Sequence, residues 1–187
     1  MVPTLCRTLG VKGHRPVVGS WDNKHLLYVF ASVNITSCAL HTDTVESRTG
    51  LYRQTGESKT RRLQRAFAKH LQRLGRCYPK DKHARVVVLI DNAPWHAGEP
   101  IRQVLAEHPQ LELKRLPSYS PQLNVIERFW KLLRRRATHN RLFETLADLK
   151  RSIRASLCYF QTVRQRIQTL IANCYPRPKN QSALPGP

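Results

Sequence analysis

Apolar positions along this chain change their period several times, and each change predicts an element. "RPVVGSWDNKHLLYVFASVN", residues 15–34, is two apolar runs separated by "SWDNK", which predicts a hairpin with its turn at those five residues. Residues 41–60 are polar and rich in Gly, Thr and Ser, and predict a loop. "RRLQRAFAKHLQRLG" sets Leu63, Phe67, Leu71 and Leu74 on one helical face, with Gly75 as a C-terminal stop and Arg and Lys over most of the other face. The run 85–90 is the most buried-looking strand of the chain. It is followed by a helix over 99–108, with Ile101, Val104 and Leu105 on one side. "LELKRL" alternates as a strand does and stops at Pro117, and "SYSPQLN" reads as a loop.

Ile126, Phe129, Trp130 and Leu133 then define the buried stripe of a helix over about 124–136. Further helices are predicted at about 145–158 and 160–174, ahead of a frayed tail, "PRPKNQSALPGP". Strands that alternate with helices imply a layered α/β domain with part of its sheet parallel. The organisation expected is a domain over 1–145, C-terminal helices over 146–175 and a disordered tail over 176–187.

Charge adds a partner class. Lys and Arg total 32 against 12 Asp and Glu, a formal net charge of +20, which points to a polyanion and most simply to nucleic acid. The candidate contacts are Arg61, Arg62 and Arg65 on the first helix, and Lys131, Arg134, Arg135 and Arg136 on the helix after residue 124. Each of them is equally explained as part of a solvated helix face. The five cysteines are scattered, with no CxxC pair, which argues for reduced thiols in the cytoplasm and against a zinc site. No apolar run is long enough to cross a bilayer, and no signal peptide is visible.

The candidate chemistry begins at Asp91. Functional groups of open α/β sheets gather at the carboxyl ends of strands, and Asp91 follows the apolar run 86–90 directly. Alone, it is as well explained as the first residue of a turn, since "DNAP" is good turn chemistry. Glu127 strengthens the case. Asn124 reads as an N-cap, which puts Glu127 at the third helical position, where it could return to the cap backbone or pair with Lys131 one turn on. The apolar stripe nevertheless holds it at the margin of a packed helix. Two firmly held carboxylates suit Mg²⁺, which takes hard oxygen ligands and keeps several waters.

"LIDNAPWH" followed by "YSPQLNVIERFWK" resembles the catalytic core of DDE-superfamily transposases of bacterial insertion sequences, in the mariner-like branch. Asp91, Asn92 and His96 match the first motif of that family. Tyr119, Ser120, Pro121, Leu123, Asn124, Ile126 and Glu127 match the second. Thirty-five residues (92 to 126) separate the two acids, close to the usual spacing. "GHRPVV" and "YVFASV" resemble the family's β-rich start, so the likeness spans about residues 3–145. Val125 departs from the pattern, standing where the family has Pro at the first helical position.

The resemblance implies an RNase H-like mixed sheet flanked by helices, with three carboxylates and two Mg²⁺ or Mn²⁺ ions that clamp the scissile phosphate for DNA cleavage and strand transfer. Asp91 and Glu127 would be two of the three metal ligands, with Asn92, His96 and Asn124 in support. His96 is equally readable as a packed turn histidine, and Trp95 as a core residue.

The family's first Asp ends the central strand of that sheet. Of the acids ahead of Asp91, Asp22 lies in the expected hairpin turn, Asp43, Glu46 and Glu57 in the expected loop, and Asp81 between Lys80 and Lys82. None follows an apolar strand. Met1 falls just downstream of the place for that first Asp, so the first strand is expected to be missing. The chain reads as the C-terminal portion of a transposase, from a truncated gene or a split reading frame, and inactive alone. The partners expected are DNA, in the form of element ends and target, with a homodimer and an upstream-encoded N-terminal half as the protein partners to test. The alternatives are a non-catalytic basic nucleic-acid-binding remnant and, less favoured, an RNase H-type nuclease.

Overall fold

In the computed structural model, residues 25–48, 56–117 and 124–172 of the 187 are described, together with the single positions Lys12, His14 and Val17. The chain is mixed α/β, as its periodicities predict. Strand β1 (His25–Val33) and strand β2 (Leu40–Arg48) form an antiparallel pair, with His25 opposite Arg48 and Val33 opposite Leu40. Helix α1 (Lys59–Cys77) leads to β3 (Val86–Ile90), a 3₁₀ turn at Pro94–His96, α2 (Glu99–Glu107) and β4 (Leu111–Arg115). Strands β3 and β4 pair in parallel, Val86 with Leu111 and Ile90 with Arg115, across the α2 connection. Helices α3 (Val125–Ala137), α4 (Leu146–Thr162) and α5 (Arg164–Ala172) complete the order.

Several expectations need correction here. The turn expected at "SWDNK" and the tail 176–187 lie outside the described residues. The segment expected as a loop over 41–60 instead carries β2. Its side chains are polar because both faces meet hydrogen-bonding partners. Toward α1, Asp43 bonds His70 and Arg73, Ser47 receives Arg62, and His41 meets the Tyr78 hydroxyl. Toward α4, Thr42 and the Leu40 carbonyl accept from Gln161, and Glu46 pairs with Lys150. The hairpin turns at residues 34–39, where the Asn34 side chain accepts from the backbone N–H groups of Thr36 and Ser37 (2.8 and 2.9 Å), an Asx turn.

Gly75 does not end its helix. Helix α1 runs on to Cys77, and Gly75 is buried where the His108 ring passes so close that a Cβ would lie 2.4 Å from Cγ of His108. The carbonyls of Gly75 and Tyr78 both accept from the buried Gln110 amide, at 3.2 and 3.0 Å, which satisfies the orphan acceptors of the helix end.

The four described strands do not join into one mixed sheet. They form two separate pairs, β1–β2 and β3–β4. Each pair has its own core. Leu40 and the inward side chains of β1 pack with Val125, Phe129 and Leu133 of α3 and with the apolar faces of α4 and α5. Phe67, Leu71 and Leu74 of α1 pack with Ile90, Ile101, Val104 and Leu111. Among the described residues, no strand pairs with the second edge of β1 or of β3. Val87 and Leu89 are 45% and 47% exposed, far from the two-faced burial that so apolar a strand would have inside a parallel sheet. A cleft of about 550 Å³ runs between residues 31–33 of β1 and 86–89 of β3. The helices after residue 145 share their core with the hairpin and α3.

Candidate active site

Strand β3 delivers Asp91 to its carboxyl end, and the turn that follows fixes the side chain. The carboxylate accepts from the Ala93 N–H at 3.0 Å and from Nδ1 of His96 at 2.9 Å, while about half of the side chain stays open to solvent. Nδ1 of His96 also faces the Asp91 carbonyl at 3.3 Å. Both neighbours are acceptors, so Nδ1 carries the proton and Nε2 keeps its lone pair. The ring lies on Phe67, with centroids 4.3 Å apart, so α1 backs the turn. Burial lowers the His96 pKa below its ordinary value, against the opposing pull of Asp91, which keeps the ring neutral at physiological pH. Asn92 turns toward β4, its amide donating to the Leu116 carbonyl at 3.1 Å.

Asn124 caps α3 as expected, its side chain accepting from the Ile126 N–H at 3.3 Å. Val125, the departure from the family's Pro, is 7% exposed and belongs to the core, so the first helical position is held by packing. Glu127 follows in the first turn, and its carboxylate makes no ion pair with another described residue. Asp91, His96, Asn124 and Glu127 line one cleft of about 210 Å³, whose walls are residues 28–32 of β1 and 88–90 of β3, with Trp95 and Trp130. Tyr119, Ser120, Pro121 and Leu123 lie outside the described residues.

The donor set fits a hard divalent cation in part. Two carboxylates face one cleft, and neither is bound to a lysine or arginine of the described residues. Among the described residues, however, no group of three or more His, Cys, Asp or Glu side chains is assembled to hold a metal ion.

The basic residues separate by environment. Arg61 is exposed, and Arg65 pairs with Glu57 at 2.8 Å. Arg62 turns inward to Ser47, with its Nε buried and unpartnered. Lys131, Arg134, Arg135 and Arg136 are exposed along α3, and the Arg136 guanidinium lies 3.7 Å over the Tyr159 ring.

Sequence reasoning missed one cluster in the wall of this cleft. His70, 1% exposed, joins Ser32 of β1 (Oγ to Nε2, 2.7 Å) to Asp43 of β2 (Nδ1 to Oδ2, 2.6 Å), and Arg73 reaches the second oxygen of Asp43. Burial pushes the Asp43 carboxyl up, but the bond and charge of His70, with Arg73, outweigh it and hold the pKa below the ordinary value. The only local signal was a histidine within the apolar stripe of α1.

Residues 44–150, more than half of the chain, match the model of the family described as DDE superfamily endonuclease, and the chain belongs to that family. The uncharacterized protein y4pE/y4sA of Sinorhizobium fredii (strain NBRC 101917 / NGR234) is 32% identical over 84 residues, 45% of this chain and 58% of that protein. The insertion element IS630 uncharacterized 39 kDa protein of Shigella sonnei is 29% identical over 99 residues, 53% of this chain and 27% of that protein. The chain thus spans less than two thirds of either relative. No solved structure matches it significantly. The likeness to insertion-element proteins expected from the two motifs is therefore shown. No helix among the described residues is long and apolar enough to cross a membrane.

Proposed function

We propose that this chain is the carboxylate-bearing core of an insertion-sequence transposase of the mariner-like branch, acting on DNA in the cytoplasm with Mg²⁺ or Mn²⁺. The observation that carries the reading is the convergence of Asp91, from the end of β3, and Glu127, from the first turn of α3, on one cleft. These two acids are the ligands offered to the metal, with Asn124 positioning the helix that carries Glu127. His96 holds Asp91 in one rotamer through its Nδ1–H, as partners of metal-binding carboxylates commonly do. When bound, a pair of such ions activates the attacking oxygen and stabilises the leaving oxygen of a phosphodiester. The exposed arginines of α3 position the DNA backbone.

The two-ion centre of an RNase H-like fold takes a third carboxylate. We place it on a strand that enters between β1 and β3, where both edges lack a partner among the described residues. That strand would convert the two pairs into one mixed sheet. Among the described residues Asp91 and Glu127 are the two acids that line the cleft, and two alone would bind metal weakly and not cleave DNA. The shortage of metal ligands among the described residues favours a second reading, a basic nucleic-acid-binding protein without chemistry.

The test is Mn²⁺ titration of the purified chain, followed by electron paramagnetic resonance, with Asp91→Asn and Glu127→Gln beside it and a plasmid-nicking assay in parallel. Weak Mn²⁺ binding that both substitutions abolish, with no nicking, is the expected result. Binding indifferent to both would leave the second reading. A metal-dependent nick by this chain, abolished by Asp91→Ala, would overturn the claim of inactivity.

A further inference from the structure

A second basin lies at the far end of α3, where the helix meets α4. It encloses about 430 Å³ and is lined by Arg136, Arg141, Arg151, Asp148, Ser152 and Ser156. Three guanidinium groups against one carboxylate leave a surplus of two positive charges. The single acid is already committed. Its two oxygens take the Thr145 hydroxyl at 2.6 Å and Nη1 of Arg151 at 2.9 Å, so Asp148 holds Arg151 in place. Arg136 and Arg141 have no carboxylate partner among the described residues, and Arg136 is set by its stacking on Tyr159. The turn between the helices brings Arg141 back to the basin. Asn140 adopts φ 53, a left-handed conformation that asparagine tolerates better than most residues, and the His139 N–H closes on the Arg134 carbonyl at 2.8 Å.

Planar, forked donors in excess of the one carboxylate beside them suit a phosphate diester rather than a carboxylate side chain or an apolar ligand. We propose that this basin is a phosphate-binding subsite for the backbone of duplex DNA, separate from the Asp91–Glu127 cleft. The proposal rests on the DNA reading given above. Arg136 lies nine residues after Glu127, about 14 Å along the helix at 1.5 Å per residue. Nine residues are also about two and a half turns, so Arg136 and Glu127 leave α3 on opposite sides, and the basin takes a stretch of backbone apart from the one facing the carboxylates.

The experiment measures binding of a fluorescein-labelled 20-base-pair duplex by anisotropy, in EDTA, over a series of salt concentrations. It uses the whole chain, the Arg141→Ala/Arg151→Ala variant, and Lys80→Ala/Lys82→Ala as a control of equal charge change. Loss of one phosphate contact lowers the slope of log K against log salt by about 0.9. The arginine variant should show that drop together with a several-fold weaker affinity at 0.1 M salt, while the lysine variant keeps the wild-type slope. Equal slopes for all three proteins, or equal losses in both variants, overturn the subsite. Absence of duplex binding by the wild-type chain overturns the subsite and the DNA reading together. Because EDTA removes divalent metal, a failed metal assignment leaves this result readable.

Discussion

Replacing Gly75 by Ala sets two effects of known size against each other. In an ordinary helix interior, Gly→Ala stabilises by about 0.8–1 kcal/mol, because the unfolded chain loses freedom and the helix gains a good former. Here the new Cβ would lie 2.4 Å from Cγ and 2.6 Å from both Cδ2 and Nδ1 of His108. Cγ is one bond from the root of that side chain, so turning the ring about its own axis does not relieve the contact. Either His108 leaves its rotamer, or α1 separates from the segment in which Gln110 closes the helix end. Overpacking of this kind costs about 1–3 kcal/mol, so the clash wins and the net loss is about 1 kcal/mol.

For a chain of this size that is a fall in Tm of about 2–4 °C, measurable by thermal and urea unfolding. In a His108→Ala background the obstruction is gone, and the same substitution should stabilise by about 1 kcal/mol. The sign of the effect thus reverses between backgrounds, a coupling of about 2 kcal/mol across the double-mutant cycle. A Gly75→Ala protein more stable than its parent in both backgrounds would refute the contact.

Stability should also depend on pH through His41. Burial, and then the neighbouring His70 and Arg73, hold its pKa below the ordinary value despite Asp43. The unfolded chain therefore takes the proton more readily than the folded one. This contribution is fully present above the ordinary histidine pKa of about 6.5 and is lost as pH falls through the lower folded value. Urea midpoints between pH 7.5 and 5.5 should decline, less steeply in His41→Gln; equal slopes would exclude His41 as a source. Phe129, 0% exposed at the centre of the hairpin–helix core, should cost about 3–5 kcal/mol on truncation to Ala, whereas Lys131→Ala on the exposed face should change the urea midpoint little.

Helix α3 was legible because one side chain pattern served every purpose: Asn124 caps it, and Phe129 and Leu133 bury it. Glu127 is left at the cleft by that same geometry. Asp91 was legible for a related reason, since an unbroken apolar run fixes where β3 ends and what stands at its tip. Strand β2 was not legible. Its binding energy comes from Asp43, Ser47, His41 and Glu46 meeting partners 15 to 104 residues away in sequence, and no local period records such pairings. Gly75 misled because a glycine late in a helix looks the same whether it frees the backbone or admits a neighbour's ring. The inward turn of Arg62 was equally hidden, since a helix face reads as solvated until the strand beneath it is known.

Among the described residues the second edges of β1 and β3 have no partner strand, which bears on how concentrated solutions of this protein behave. An open strand edge beside the exposed Val87 and Leu89 is the kind of surface on which identical molecules stack. What opposes stacking is mutual repulsion between copies that each carry a formal charge of +20. That repulsion reaches about 10 Å at 0.1 M salt but only about 3 Å at 1 M. Dilute buffer therefore keeps the chains apart, and strong brine or a polyanion that cancels the charge brings the bare edges together. Colloidal behaviour is set by ionic strength rather than by the melting point of the fold.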